Sequence, residues 1–255
     1  MKYLVLAYGN RDVMSKLTPD EFGVIKAEAE AHDAELKKSG KLRSSMSLEW
    51  DAVTIRPRSG KPVVTDGPYL ETKDQIGGLV SIEARDLNEA VRVASLHPAA
   101  RMGDGQGWGI ELRAIEHGME PAPFEEGPRW LLLAYGQRAL WEKQTPAEMQ
   151  AIGAKCMAID EEMRATGHVV EGFGLSWDCM KLKPKNKKPV VTDGPYLETK
   201  DLVGGLVQIT AKDKAEAIRL ACMHPAALTN EALGWAVELR RVAAGFAQLE
   251  VFQDV

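Results

Sequence analysis

The sequence has few cysteines, no long apolar run and no excess of basic residues. Only three of its 255 residues are cysteines, so a disulfide framework is not expected. No stretch approaches the ~20 apolar residues that a transmembrane helix requires. The apolar start at residues 1–10 is too short for a signal peptide and is expected to form a strand. The formal net charge of −5 argues against nucleic-acid binding. These absences predict a cytoplasmic protein with no membrane or nucleic-acid partner.

The dominant feature of the sequence is an internal duplication. LVLAYG at residues 4–9 recurs as LLLAYG at residues 131–136, an offset of 127 residues that relates the two copies without a gap. The longest identical run, KPVVTDGPYLETKD, occupies residues 61–74 and 188–201. A segment between the copies is rich in proline, glycine and glutamate, as expected for a linker. We therefore predict two domains, at residues 1–115 and 129–242, joined by a linker at residues 116–128 and followed by a C-terminal tail at residues 243–255.

Local signals predict a small α+β unit in each half. Thr18 begins a helix with apolar side chains at 3.6-residue spacing, which ends at Gly40. Asp86 begins a second helix, which ends at His97 before a proline. Apolar and alternating runs around these helices predict strands, and Trp50 is interpreted as a hairpin corner or as the wall of a pocket. The resulting order, β-α-β-β-(β)-α-β, is that of a ferredoxin-like domain.

The first strand is apolar on both faces, because Val5 and Ala7 alternate with Leu4 and Leu6. Two helices can cover only one face of the sheet, and leaving the other bare is unfavourable at ~25 cal/mol per Å². We therefore predict that the two sheets face each other as a pseudo-twofold pair, a dimeric α+β barrel within one chain. The ligand pockets would lie in or beside this barrel, possibly two of them related by the pseudo-twofold axis. The alternative is two independent domains on a linker, and association of two chains is left open.

The repeated run resembles a known family signature. Residues 64–73, VTDGPYLETK, precede Gly77-Gly78 and a His-Pro pair at His97, and the same pattern recurs at residues 191–200. It is similar to the signature of the DGPF-type branch of the YCII-related family, with tyrosine in place of the usual phenylalanine. The resemblance implies the ferredoxin-like dimeric α+β barrel and leaves the activity open.

Wider relatives of that family include enzymes suspected of small-molecule chemistry through a His–Asp pair. Their histidine lies on the first helix, and the corresponding positions here are Ala29 and Cys156. Neither residue can exchange protons as an imidazole does. The resemblance therefore does not carry that pair over to this chain as a whole.

Two residues of each half are candidates for acid–base catalysis. Asp66 lies in the turn of the motif and His97 follows the second helix; they recur as Asp193 and His224. An aspartate and a histidine in contact can exchange protons near neutral pH. The alternative roles are structural, because the aspartates can bond their own turn amides and the histidines can bond the last helix carbonyls as cations.

Further polar residues of the motif are candidates for ligand binding. The predicted ligand-binding residues are Tyr69, Glu71, Lys73, Tyr196, Glu198 and Lys200. On the closing strands, Glu111 with Arg113 and Glu238 with Arg240 are interpreted as a cross-strand charge ladder or as contacts to an anionic ligand inside the barrel. The sequence has no zinc-ligand spacing, Walker lysine or GxSxG motif, so no cofactor or metal is expected; a metal held by Asp66 and His97 is the minor alternative.

Two function classes remain open. The first is an enzyme of lyase, isomerase or hydrolase type that acts on a small polar or aromatic molecule through the Asp–His pairs. The second is a non-catalytic module that binds a small ligand or regulates. The enzyme requires Asp66 and His97 to face one cavity within reach of a hydrogen bond or of one bridging water.

Overall fold

The computed structural model describes residues 1–119 and 123–243, so the predicted tail lies outside the described residues except for Ala243. The strands are β1 (Lys2–Asn10), β2 (Leu42–Arg58), β3 (Lys61–Asp66), β4 (Asp74–Glu83), β5 (Gly109–Gly118), β6 (Arg129–Gly136), β7 (Val169–Lys185), β8 (Lys188–Asp193), β9 (Leu202–Thr210) and β10 (Ala236–Val242). The helices are α1 (Arg11–Met14), α2 (Pro19–Lys38), α3 (Leu87–Ala94), α4 (Pro98–Arg101), α5 (Arg138–Trp141), α6 (Pro146–Arg164), α7 (Lys214–Ala221) and α8 (Pro225–Leu228), with a 3₁₀ turn at Glu231–Leu233.

The long helices α2 and α6 begin where the sequence predicts. The hydroxyl of Thr18 accepts the backbone N–H of Glu21, and the carboxylate of Glu21 accepts the N–H of Thr18, which forms a capping box. Thr145 and Glu148 repeat this arrangement. Both helices lie mostly outside the core, since Leu36 is the only buried side chain of α2 and Met163 the only one of α6.

The strands form one closed antiparallel barrel. Eight strands follow one another in the order β10-β6-β9-β7-β5-β1-β4-β2, and a pairing of β10 with β2 closes the ring. The two halves meet where β5 pairs with β7, from Ile110 opposite Leu182 onward, and where β10 pairs with β2. Because backbone hydrogen bonds join the halves along both junctions, the alternative of two independent domains is wrong.

Strands β2 and β7 are 17 residues long and each serves both halves. Residues 42–47 of β2 pair with β4 of the same half, and residues 48–55 pair with β10 of the other half. The predicted hairpin corner at Trp50 is therefore wrong. The strand passes through this position without reversing, because new backbone partners from the other half take over there. Its reversal comes later, at Ser59-Gly60, where both residues have positive φ.

Apolar side chains fill the barrel interior and cover its outside. The interior cluster draws on both halves and includes Leu4, Leu6, Tyr8, Leu131, Leu133, Tyr135, Phe173 and Tyr196. Two outer clusters lie between the sheet and the helices, and each also contains residues from the other half, such as Leu182 in one and Ile55 in the other. Both faces of β1 are thus buried, as its apolar sequence predicts.

Two further features bear on the predicted organisation. Strand β5 continues to Gly118 and pairs with Phe173 and Gly174, so the first residues of the predicted linker belong to the sheet. The domain boundaries themselves remain predictions. In the described part of the chain, no helix is both long enough and apolar enough to cross a membrane.

Candidate functional site

The repeated motif of the second half inserts into the first half. We call residues 67–73 and 194–200 the motif loops. In the second loop, the backbone N–H of Tyr196 donates to Glu111 Oε2 at 2.7 Å, and its ring stacks on Tyr8 with centroids 4.3 Å apart. Its hydroxyl lies 2.9 Å from the carbonyl oxygen of Gly107 and 3.2 Å from a carboxylate oxygen of Asp74. Tyr196 is 3% exposed, so this loop is anchored in the other half.

The first motif loop makes the reciprocal contacts with the second half. The N–H of Tyr69 donates to Glu238 Oε2 at 2.8 Å, and its ring packs against Tyr135 at 4.7 Å. Its hydroxyl lies 3.2 Å from both the Gly234 carbonyl oxygen and Asp201 Oδ1. The two tyrosines predicted to bind a ligand therefore bind the opposite half of the chain.

Each motif loop rests on a buried ion pair inside the barrel. Arg113 Nε lies 2.7 Å from Glu111 Oε1, and Arg113 also donates to the carbonyl oxygens of Ser176 and Val203. The counterparts Arg240 and Glu238 are 3.1 Å apart. The predicted cross-strand charge ladder is wrong, because each arginine pairs with the glutamate two residues earlier on its own strand. The neighbouring strands supply backbone carbonyls instead of charged side chains.

The two motif loops differ in how deeply the tyrosine sits, and one glycine accounts for the difference. A Cβ built on Gly109 would clash with the ring of Tyr196. The equivalent position in the second half is Ala236, and there Tyr69 remains only half-buried. The missing side chain at Gly109 thus lets Tyr196 lie nearly parallel to Tyr8, with an interplanar angle of 12° compared with 31° between Tyr69 and Tyr135.

The tyrosines of the barrel are held in their neutral form. Burial raises the pKa of Tyr69 to about 12, with a further contribution from the Asp201 carboxylate. Burial likewise raises the pKa values of Tyr196, Tyr8 and Tyr135. A neutral phenol at pH 7 serves as a hydrogen-bond donor, which is how Tyr69 and Tyr196 contact the other half.

The predicted catalytic aspartates lie at the surface. The Asp66 side chain is 92% exposed and lies 3.4 Å from Lys214 Nζ. The adjacent amide of Gly67 donates to the carbonyl oxygen of Ala52, so the turn is closed by the backbone of β2. Asp193 is exposed as well. Neither carboxylate is sheltered from water. Electrostatic interactions that would tune a catalytic base are strongest in a sheltered site, so neither aspartate has that advantage.

The predicted catalytic histidines cap short helices. His97 Nδ1 accepts the N–H of Ala99 at 3.1 Å, and His224 Nδ1 accepts the N–H of Ala226 at the same distance. Burial lowers the pKa of each imidazole to about 4. The expectation that they bond the end of the preceding helix as cations is wrong, since they accept at the start of α4 and α8 and must be neutral to do so.

The Asp–His pairs are not brought together by any contact in residues 1–119 and 123–243. The ion pair of Asp66 is with Lys214, and the side-chain hydrogen bond of His97 is with its own helix. Of the other predicted ligand-binding residues, Glu198 pairs with Lys181 at 3.2 Å. The remaining members of that set are exposed at the surface, namely Glu71, Lys73 and Lys200.

A small cavity lies among the interior residues of the barrel. It measures about 10 Å³, between Tyr8 and Tyr135 and beside Glu111 and Asp201. A volume of this size accommodates about one water molecule. At this place both motif loops and both ion pairs fill the barrel, and a ligand pocket in or beside the barrel stays a prediction.

A larger cleft of about 200 Å³ lies outside the barrel, beneath helix α2. Ile25 and Glu28 of α2 form one side, and the segment from α4 to β5 forms the floor. Lys187 closes the far side from the β7–β8 turn of the second half, with its ammonium 3.2 Å from Glu28 Oε1. The lining residues are Ile25, Glu28, Arg101, Met102, Gly103, Asp104, Gln106, Trp108 and Lys187. Both halves thus contribute to the cleft.

The equivalent surface of the second half has different side chains. At the offset of 127 residues, Arg101 corresponds to Leu228 and Gln106 to Leu233. Leu233 is buried, and Trp235, the counterpart of Trp108, stacks on Trp141 with centroids 6.3 Å apart. The backbone contact between loop and hairpin persists, because Asp104 accepts the N–H of Asn186 as Glu231 accepts that of Ser59. The scaffold is therefore shared, and the two surfaces differ in their side chains, with Leu228 and Leu233 in place of Arg101 and Gln106.

Sequence reasoning missed one repeated acidic position. Burial raises the pKa of Asp160 on α6 to about 6, and Oδ1 of this residue is buried without a hydrogen-bond partner. Its counterpart Asp33 on α2 also has a raised pKa, again chiefly because of burial. The available signal was their recurrence at the common offset. In the described part of the chain, no three histidine, cysteine, aspartate or glutamate side chains gather as a metal site.

Comparisons with known proteins place this architecture in context. The profile of the YCII-related domain matches residues 1–107 and 129–243. An uncharacterised protein of Rhizobium meliloti (strain 1021) is 32% identical over 96 residues, which are 37% of this chain and 77% of that protein. Among solved structures, a protein named as a candidate chlorite dismutase matches at 8% identity with a TM-score of 0.47, covering 95% of this chain and 94% of that one.

Proposed function

The chain belongs to the YCII-related domain family along both of its halves, and from this premise we propose that it is a single-chain pseudo-dimer of two ferredoxin-like units that binds a small molecule without turning it over. The strand order β5-β1-β4-β2 of the first half and β10-β6-β9-β7 of the second support the ferredoxin-like assignment. In this proposal the motif loops lock the pseudo-dimer, and the cleft beneath α2 is the ligand site.

The environment of the motif supports binding over catalysis. A general acid–base pair needs two groups within reach of one substrate and a pKa near the working pH. His97 is neutral and engaged as a helix cap, with a pKa of about 4, while the Asp66 carboxylate points into solvent beside Lys214. An enzyme that uses Asp66 with His97, or Asp193 with His224, remains the alternative. Loss of turnover on Asp66→Asn would support that alternative.

The single observation that carries the proposal is the composite cleft. Small-molecule sites are concave, largely apolar and furnished with a few polar groups that fix orientation. The cleft has an apolar wall in Ile25, Met102 and Trp108, a charged rim, and a volume suited to a ligand smaller than a typical drug. Because Lys187 of the second half lines one side, the cleft is complete only when the two halves are joined.

A binding screen with residues borrowed from the second half tests the proposal. The double variant Glu28→Lys and Gln106→Leu gives the cleft the side chains that the fold already accommodates at the equivalent positions, Lys155 and Leu233. Glu30→Lys, an exposed glutamate on the same helix, serves as the matched control. We expect small-molecule hits from a thermal-shift and calorimetry screen to bind the wild type and the control and to fail with the double variant. Hits that bind all three proteins equally would overturn the placement of the site.

A further inference from the structure

One carboxylate of the cleft has no cationic partner. The lining contains two carboxylates, Glu28 and Asp104, and two cations, Arg101 and Lys187. Both cations are already bonded to carboxylates, Lys187 to Glu28 at 3.2 Å and Arg101 to Glu35, outside the lining, at 3.0 Å. Among the described residues no ion pair joins Asp104 to a cation, and its hydrogen bond comes from a backbone N–H. A ligand that enters the cleft is favoured if it brings a positive charge.

The apolar wall suits the same kind of ligand. Trp108 packs closely against Gly103, where a Cβ would meet the indole at 2.7 Å, and both residues line the cleft. An indole face attracts cations through its quadrupole, and tryptophan is the strongest of the aromatic side chains in this respect. Ile25 and Met102 beside it provide apolar surface for the remainder of the molecule.

The second half provides an internal contrast. The residue equivalent to Glu28 is Lys155, so a carboxylate is replaced by a cation, and the residue equivalent to Lys187 is Gly60. With Leu228 and Leu233 at the positions of Arg101 and Gln106, that surface is also more apolar. The two surfaces share a tryptophan and one carboxylate, which are Trp235 and Glu231 in the second half, and the first half adds the second carboxylate, Glu28.

We infer that the cleft binds a small organic ammonium ion with an apolar body, its cationic head against Trp108 and between Glu28 and Asp104. This inference rests on the proposed function, since it names the chemical class of the ligand for the same site. The ammonium group competes with Lys187 for the carboxylate of Glu28. Entry of the ligand therefore exchanges one ion pair for another and leaves no carboxylate unpaired.

A set of probes with the same branched apolar group tests the inference on the full chain. Isothermal calorimetry would compare 3-methylbutylamine, 3-methylbutanol, 4-methylpentanoate and L-leucine, which differ in charge and share the branched apolar body. We expect the amine to bind most tightly, at least about tenfold more tightly than the alcohol, because it brings an ammonium group without the carboxylate of L-leucine, which Glu28 and Asp104 would repel. Added salt should weaken the binding of the amine and leave the affinity for the alcohol unchanged.

Two variants locate the binding site. Glu28→Lys introduces the residue of the second half and should weaken the amine at least about tenfold, and Trp108→Leu should weaken it with the fold retained by circular dichroism. Tighter binding of the acid or the alcohol than of the amine would refute the ligand class and leave the cleft as the site of a different small molecule. Failure of all four probes together with failure of the screen for the proposed function would overturn both. The wild-type comparison stands even if a variant fails to fold.

Discussion

The ion pair of Glu111 and Arg113 allows a prediction that depends on the closure of the barrel. Glu111 lies 2.7 Å from Arg113 Nε through one oxygen and 2.7 Å from the N–H of Tyr196 through the other. Glu111→Gln keeps one oxygen acceptor and removes the negative charge. The guanidinium of Arg113, whose side chain is 0% exposed, would then remain buried without a counter-charge. Removing one partner of a buried ion pair costs about 3–5 kcal/mol.

This loss is a large part of the free energy of unfolding of a typical domain, which is about 5–15 kcal/mol. Urea unfolding, followed by circular dichroism and tryptophan fluorescence, gives the free energy of unfolding directly. We expect Glu111→Gln to lose about 3–5 kcal/mol and Glu238→Gln to lose a similar amount, since its pair with Arg240 is the pseudo-symmetric equivalent. Glu71→Gln, on the exposed part of a motif loop, should change stability by less than about 0.5 kcal/mol.

The outcome that refutes this reasoning is equally definite. If Glu111→Gln loses less than about 1 kcal/mol, the guanidinium of Arg113 finds solvent in the variant, which a filled and closed barrel does not permit. A large loss for Glu111→Gln with none for Glu238→Gln would mean that the two junctions between the halves are not equivalent. Both results can be measured in the absence of a ligand.

Two further predictions concern the fit of the motif loops and the response to pH. Gly109→Ala should lower stability by about 1–3 kcal/mol and expose the Tyr196 ring, because a Cβ clashes with it; unchanged stability and unchanged near-UV circular dichroism would contradict the fit. Each capping histidine has a pKa lowered to about 4 from 6.5, so the unfolded chain binds more protons between these values. Stability is therefore full above pH 6.5 and falls on acidification to pH 4, by about 1.4 kcal/mol per unit for each histidine. The raised pKa of Asp160 has the opposite effect, because the folded chain binds more protons between pH 3.8 and 6 and acidification through this range raises the stability. Replacing both histidines by asparagine keeps a capping acceptor and should flatten the decline; a decline as steep as in the wild type would refute the assignment.

Several elements could be predicted from the sequence because their causes are local or recur. The capping boxes at Thr18 and Thr145 depend on residues three apart, and the helices begin there. The apolar residues on both faces of β1 required a second cover, and the duplication supplied one. Closure of the barrel follows from these two facts together. The roles of His97 and His224 were also accessible, since a proline follows each of them at the first position of a helix.

Other elements depended on contacts distant in sequence. The continuation of β2 through Trp50 is caused by β10, almost 190 residues further along the chain, and no local signal indicates it. The recurrence of Tyr69 and Tyr196 indicated a role in the shared fold or in a shared site. It did not distinguish contact with a ligand from contact with the other half of the chain. The cleft depends on Lys187 reaching Glu28 across the halves. Each of these features depends on how strands that are distant in sequence align with one another, and the sequence pattern does not determine that alignment.

Amide hydrogen exchange of the two junction strands tests the central claim, that the halves close into a single barrel, most directly. In a closed barrel β5 lies between β1 and β7, and β10 lies between β6 and β2. Every amide of residues 110–113 and 237–240 then has a backbone partner, and we predict slow exchange for all of them by site-resolved NMR. If the halves stood apart, β5 and β10 would be edge strands. Alternate amides in both would then exchange at unprotected rates, a pattern that would contradict the closed barrel and, with it, the composite cleft.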